Sequence, residues 1–243
     1  MNLVIDIGNT AAKIAVFDEK KLVKTFQGNN QSLNELSEIA KRYPPQKGVI
    51  ASVITLTDDI LAQLEALGID MLHVNSETPI PITNSYKTPQ TLGMDRLAAV
   101  IAANELMPGK DLLVIDAGTC ITYDFIDADG NYWGGNISPG VRMRLKALHE
   151  FTNKLPLVHQ EGETPLWGST TETAIRAGVI HGVSQEIEGY IRQTRERHPS
   201  LSVFLTGGDG VSFSKNREND IFMDRDLVLK GLNRILNYND TLS

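Results

Sequence analysis

The chain has 243 residues, 41% of them hydrophobic and 22% charged, with a formal net charge of -7 at neutral pH. No apolar run reaches the ~20 residues that cross a bilayer. The basic residues cluster only at Arg192, Arg195 and Arg197, too few to track a nucleic-acid backbone, so neither membrane nor nucleic acid is expected as a partner. A single cysteine, Cys120, allows no internal disulfide, and the first residues show no basic region or cleavage pattern, which points to the cytoplasm.

In chain order, LVIDIG (3–8) and AKIAVFD (12–18) predict two strands joined by a tight turn, and LVKTF (22–26) a third. Ser32 is expected to cap a helix carrying Leu33, Leu36, Ile39, Ala40 and Tyr43, stopped by Pro44 and Pro45. GVIASV (48–53) reads as a buried strand. Thr57 opens a second helix with Ile60, Leu61, Leu64 and Leu67 on one face and Gly68 at its end, before the short strand DMLHV (70–74). Residues 75–93, with Pro79, Pro81 and Pro89 among turn formers, predict a long loop of the kind that often carries function. The helix MDRLAAVIAANEL (94–106) follows.

The programme then restarts. LLVIDAG (112–118), ITYDFID (121–127), the turn ADGN (128–131) and YWGGNI (132–137) predict a second meander, and residues 139–152 a helix with Pro139 near its start. Gly134, Gly135, Pro139 and Gly140 are expected to shape that turn and helix start, with no catalytic step. A long helix from about Thr171 to Arg197, a strand SVFLTG (202–207) and an amphipathic helix over 226–238 complete the chain. LVID-x-G occurs in both halves, each time followed by a threonine and more strand, which favours duplication over coincidence. The expected architecture is α/β: two similar lobes, residues 1–110 and 111–243, with a central cleft.

A carboxylate at the end of an apolar strand is costly to bury unless a cation or several donors meet it, so Asp6 and Asp116 are expected where each sheet opens into a site. The N-H groups of the two glycine turns can converge on phosphate oxygens, the Thr10 and Thr119 hydroxyls add donors, and the carboxylates can hold Mg²⁺ directly or through water. Lys13 alone reads as a solvated strand lysine; beside Asp6 it reads better as a point charge for a transferring phosphoryl group. TGGDG (206–210) is either a plain turn or a surface for adenine or ribose. Gly109-Lys110 lacks the preceding glycine of a P-loop, and no G-x-G-x-x-G opens a helix after a strand. His73, His149, His159, His181 and His198 contain no zinc-spaced pair and read as surface or packing residues.

The paired Asp-x-Gly turns resemble the ATP-binding cores of the acetate and sugar kinase, Hsp70 and actin superfamily, which implies RNase H-like, actin-like ATPase lobes. More narrowly, DIGNT with Lys13, YKTPQTLGMDR (86–96), DAGTCITYD (116–124), GGNISPG (134–140), FTNKLP (151–156) and GSTTETAIRAG (168–178) resemble, in order, type III pantothenate kinase. That resemblance implies transfer of the γ-phosphoryl of ATP to the primary hydroxyl of pantothenate, the first step of coenzyme A biosynthesis. It implies Asp95 as general base. It implies ATP binding by Asp6, Ile7, Gly8, Asn9, Thr10, Ala11, Ala12, Lys13 and Thr119, and pantothenate binding by Tyr86, Gly93, Met94, Asp95, Arg96 and Thr171. Asp116 is implied to hold a monovalent cation, K⁺ or NH₄⁺, alongside the Mg²⁺ that accompanies ATP, and the protein to be a homodimer with pantothenate near the subunit interface. Two other readings stay open here: a nucleotide-binding regulatory module without pantothenate kinase activity, and a kinase of another small hydroxy acid or sugar. An acceptor set as full as Tyr86, Asp95, Arg96 and Thr171 argues against a pure nucleotide sensor.

Overall fold

The computed structural model describes residues 1–209 and 221–242. Its contacts resolve two compact units, the first made of Met1–Gly109, Ile126–Gly134 and Asp226–Ser243, the second of Lys110–Phe125 and Gly135–Arg225. The first unit thus takes in residues from three separate stretches of the chain.

The first unit is built on β1 (Asn2–Ile7), β2 (Ala12–Asp18), β3 (Lys21–Gly28), β4 (Lys47–Ser52) and β5 (Asp70–His73), in the sheet order β3-β2-β1-β4-β5. β1 to β3 form an antiparallel meander, and β4 and β5 add in parallel beyond β1. Because side chains alternate along a strand, Leu3, Ile5 and Ile7 share one face. There they meet Leu33, Leu36 and Ile39, the last two in α1 (Leu36–Arg42), and Ile60 and Leu64 of α2 (Asp58–Glu65). Each such fully buried aliphatic side chain contributes roughly 1.5–3 kcal/mol.

The sheet also packs against α3 (Met94–Leu106) and the C-terminal helix, which we label α6 (Leu227–Asp240). α3 is buried continuously from Arg96 to Ala103. Gly231 of α6 lies so close to the Ala98 carbonyl that a side chain there would collide with backbone. Asn233, buried beside it, accepts from Asn2 Nδ2 (2.8 Å) and donates to the Glu19 carbonyl (2.8 Å), so the polar atoms enclosed by this packing are paired.

Two local expectations change. Ser32 does not cap α1: the helix begins at Leu36 with Glu35 at its N-cap and no side-chain cap bond. The Asn29 side chain takes the Gln31 N-H (2.7 Å) and the Leu33 carbonyl takes the Leu36 N-H (2.8 Å), so turns occupy the residues just before the helix. Thr57, by contrast, caps α2 by accepting from the Ile60 N-H (3.2 Å). The long loop also contains a two-residue strand, β6 (Thr83–Asn84), and a 3₁₀ turn at Pro89–Thr91.

In the second unit the chain repeats the first topology. β7 (Leu112–Ala117), β8 (Cys120–Ile126), β9 (Asn131–Pro139), β10 (Ser202–Thr206) and β11 (Ile221–Met223) lie in the order β9-β8-β7-β10-β11, with β10 parallel to β7 and β11 parallel to β10. The hairpin joining β8 to β9 belongs by its contacts to the first unit. Leu113, Ile115, Ala117 and Ile121 pack against Val141 and Leu145 of α4 (Val141–Glu150), and against Ile175, Val179, Val183 and Ile187 of α5 (Thr171–Arg197). α5 starts from a reciprocal cap between Thr170 and Thr173. No helix among the described residues is long and apolar enough to cross a membrane.

A polar knot ties β8 to α4 and α5. Glu186 accepts from the Tyr123 hydroxyl (2.8 Å) and from Arg144, which also bonds Ser138 (2.6 Å). Burial alone would raise the Glu186 carboxyl, but bonds from Arg144, Ser138 and Tyr123 outweigh it and hold the group below its ordinary value. Burial, then the facing carboxylate, pushes the Tyr123 phenol above its usual range. A depressed folded-state value means that this ionised carboxylate stabilises at neutral pH and ceases to do so as acid titrates it in the folded state. The stability difference between the wild type and Glu186→Gln should therefore shrink as pH falls below about 4.5, read by denaturant titration at stepped pH.

Candidate functional site

The two sheets carry their acids at equivalent places. Asp6 is the fifth residue of β1 and Asp116 the fifth of β7, each after four buried residues, and each is itself half-buried. Asp6 sits opposite Lys13 in the antiparallel register, so acid and base lie side by side on one face. Between them the Gly8 N-H donates to the Ala11 carbonyl (3.0 Å), closing a turn with Asn9 and Thr10 exposed at its tip. Asn30, which the sequence reading did not single out, donates to the carbonyls of Gly8 (3.1 Å) and Asn9 (2.9 Å). Ile7 and Ala12 have their side chains in the core, so any nucleotide contact they make is through backbone.

Around the first turn of α3 the first unit gathers a second group. Gly93 is the N-cap of α3, Met94 its first residue, and Asp95 an acid in its first turn, where the helix dipole favours negative charge. The Asp95 carboxylate accepts from the Arg96 N-H (2.8 Å). A Cβ at residue 93 would collide with Asp95 Oδ1, so glycine leaves this carboxylate its space. Arg96, only 7% exposed, holds its guanidinium carbon 5.8 Å from the centre of the Tyr86 ring.

In the second unit the Gly118 N-H donates to the Cys120 carbonyl (2.9 Å) and the Gly140 N-H to the Thr119 carbonyl (3.0 Å), with Thr119 exposed. Gly207, at φ +88°, lies against Asp116 Oδ1 and the Ala117 carbonyl, where a side chain has neither room nor an easy backbone conformation. The Asp209 N-H donates to that same carbonyl (2.9 Å). Burial raises the Asp209 carboxyl against the opposing charge of Arg142 and a bond from Gln160. The last residue of the TGGDG stretch, Gly210, lies outside the described residues. Thr171 is the first residue of α5 and is exposed.

The structure thus groups Asp6 to Lys13 in one turn, Tyr86 with Gly93 to Arg96 around one helix start, and Asp116 with Thr119 in another turn. Among the described residues, no group of three or more His, Cys, Asp or Glu side chains is arranged to hold a metal by itself. Single carboxylates such as Asp6 and Asp116 suit cations that complete their coordination with substrate oxygens or water.

The family model described as type III pantothenate kinase matches residues 2–193. A type III pantothenate kinase of Phocaeicola vulgatus is 62% identical over 242 residues, covering 100% of both chains. One from Bacteroides fragilis is 57% identical over 240 residues, covering 99% of each. Among solved structures, a Campylobacter jejuni protein titled as a Baf family transcriptional activator aligns with a TM-score of 0.63 at 24% identity, over 98% of this chain and 99% of that one. A ROK hexokinase from Thermus thermophilus aligns at 0.51 and 13% identity, over 96% and 97%. These structural likenesses speak for the fold alone, and that fold is the duplicated α/β one.

Asn30→Ala should free the Gly8 and Asn9 carbonyls. Amide exchange at residues 8–11 is expected to accelerate about tenfold, the equivalent of roughly 1.4 kcal/mol of local opening, with the global unfolding midpoint nearly unmoved.

Proposed function

The chain belongs to the type III pantothenate kinases, and we propose that its chemistry is divided among the three groups of residues just described. The protein phosphorylates pantothenate at the expense of ATP, the entry step to coenzyme A. The observation that carries the finer reading is the grouping of Tyr86, Gly93, Asp95 and Arg96 at the start of α3, with the carboxylate, the guanidinium and the ring held by neighbours within the same unit.

In this reading the acceptor's carboxylate meets the Arg96 guanidinium, whose planar donors suit it, and its primary hydroxyl lies against Asp95. As the hydroxyl oxygen forms its bond to the γ-phosphorus and the bond to the bridging oxygen of ADP breaks, Asp95 takes the hydroxyl proton. Lys13 and backbone N-H groups at residues 9–11 neutralise charge on the transferring group, Asp6 would hold the Mg²⁺ that accompanies the nucleotide, and Thr119 adds a hydroxyl to ATP. Mg²⁺, when bound, supplies further neutralisation of the phosphate oxygens. Asp116 is assigned to a monovalent cation, its Oδ1 standing where a side chain at residue 207 would collide with it. Thr171 is assigned to pantothenate from the start of α5.

We also assign the protein to homodimers. The support is an apolar groove between α4 and α5 of the second unit, lined by Leu148, Ile175 and Val179 and by Phe151, which is 88% exposed.

Asp95→Asn should lower kcat by about 10²–10⁴-fold, the usual worth of a general base, with an unchanged circular dichroism spectrum and pantothenate still bound in calorimetry; a variant with near-normal kcat removes Asp95 from that role. For Asp116, activity should be markedly higher in K⁺ or NH₄⁺ than in Na⁺, and Asp116→Asn should erase that preference. Equal rates in all three salts would take the cation away from this site.

A further inference from the structure

The hairpin between β8 and β9 carries more internal fixing than a surface turn requires. Asp127 accepts from the N-H groups of Asp129 (3.1 Å) and Asn131 (2.9 Å), from the Asn131 side-chain amide at both oxygens (3.1 Å each), and from the Trp133 indole (2.7 Å). Burial works against the ionised carboxylate, yet these donors prevail and its carboxyl lies below the ordinary value. The fixed hairpin then grips the segment leading to Tyr86. The Thr83 N-H donates to the Gly130 carbonyl (3.0 Å) and the Ser85 N-H to the Tyr132 carbonyl (2.9 Å), while the Tyr86 N-H is held by the Asn84 side chain (3.0 Å).

Two hairpin residues reach the Tyr86 ring itself. Tyr132, fully buried, stacks on it with centroids 6.3 Å apart and planes 28° from parallel. Gly134, buried at φ +102°, faces the ring edge so closely that a Cβ would stand 2.7 Å from Cδ2 and 3.0 Å from Cε2. The Arg96 guanidinium is a further neighbour of that ring, its carbon 5.8 Å from the centroid. A guanidinium recognises a carboxylate through two parallel hydrogen bonds, so its angle matters as much as its charge.

We propose that the hairpin of residues 127–134 is the positioning element of the acceptor site, with Gly134 and Tyr132 setting the Tyr86 ring, and through it the plane of Arg96, for the carboxylate of the acceptor. Asp127 holds the hairpin in register for this task. None of these hairpin residues is a catalytic residue; they act through Tyr86 and Arg96. The proposal rests on the reading of Arg96 as the acceptor contact.

Three variants in steady-state assays, varying each substrate in turn, test it. Gly134→Ala should raise the KM for pantothenate about tenfold, the scale of one weakened charge-assisted hydrogen bond, with kcat and the KM for ATP within about twofold of wild type. Trp133→Phe, at a residue 60% exposed, removes only the indole bond to Asp127. It should raise the same KM by about threefold, and it keeps the test alive if Gly134→Ala does not fold. Arg96→Lys, run in parallel, should raise the KM for pantothenate more than either. Wild-type KM in Trp133→Phe and in a folded Gly134→Ala, or equal rises for both substrates, overturns the positioning role. A normal KM in Arg96→Lys instead overturns the underlying acceptor reading, whatever the hairpin variants do.

Discussion

A carboxylate can stand at the end of a buried strand only if the strand's phase carries it to the place where the sheet meets solvent or a ligand. Both units satisfy that condition with the same six-residue device. β1 and β7 each bury four residues, half-expose an aspartate at the fifth position and bury the sixth. Burying the charge outright would cost several kcal/mol without a partner, and slipping the register by one residue would turn it to the other face. The aspartate's position is thus set by the hydrophobic residues before it, and the turn that follows inherits its place from the aspartate.

Each turn has a backbone bond of its own and is also held from outside. In the first unit Asn30, from the segment after β3, ties the carbonyls of Gly8 and Asn9. In the second, Gly140 binds the Thr119 carbonyl, while Gly207 and Asp209 close on Asp116 and Ala117. Preorganisation of this kind matters for phosphoryl transfer, where fixed donors and charges supply most of the rate. The start of α3 follows the same logic, with bare space at Gly93 for one carboxylate and a buried bed for Arg96.

Much of this was legible in the sequence. The repeated LVID-x-G gave the duplicated topology, because alternation, strand length and the position of an acid are all local properties. Thr57 could be read as a cap because its partner is three residues away. Ser32 was misread because the competing bonds, from Asn29 and at Leu33, are turn interactions that share the same short polar vocabulary. β6 and β11 are too short, at two and three residues, for a period to show. Asn30 and Asp127 went unnoticed for another reason: one acts on a loop about twenty residues earlier, and the other lies in a stretch that reads as an ordinary Asp-Gly turn. Gly134 was seen but given only a turn-forming part, since nothing local reveals the Tyr86 ring beside it.

The last helix belongs to the unit the chain begins. β1 leaves the ribosome long before α6, which together with α3 packs on its sheet. Until α6 is made, α3 presents to water the surface that Gly231 and its neighbours later shield. The first unit is therefore begun early and finished late, and a nascent chain stalled before α6 holds an open hydrophobic seam for chaperones to recognise.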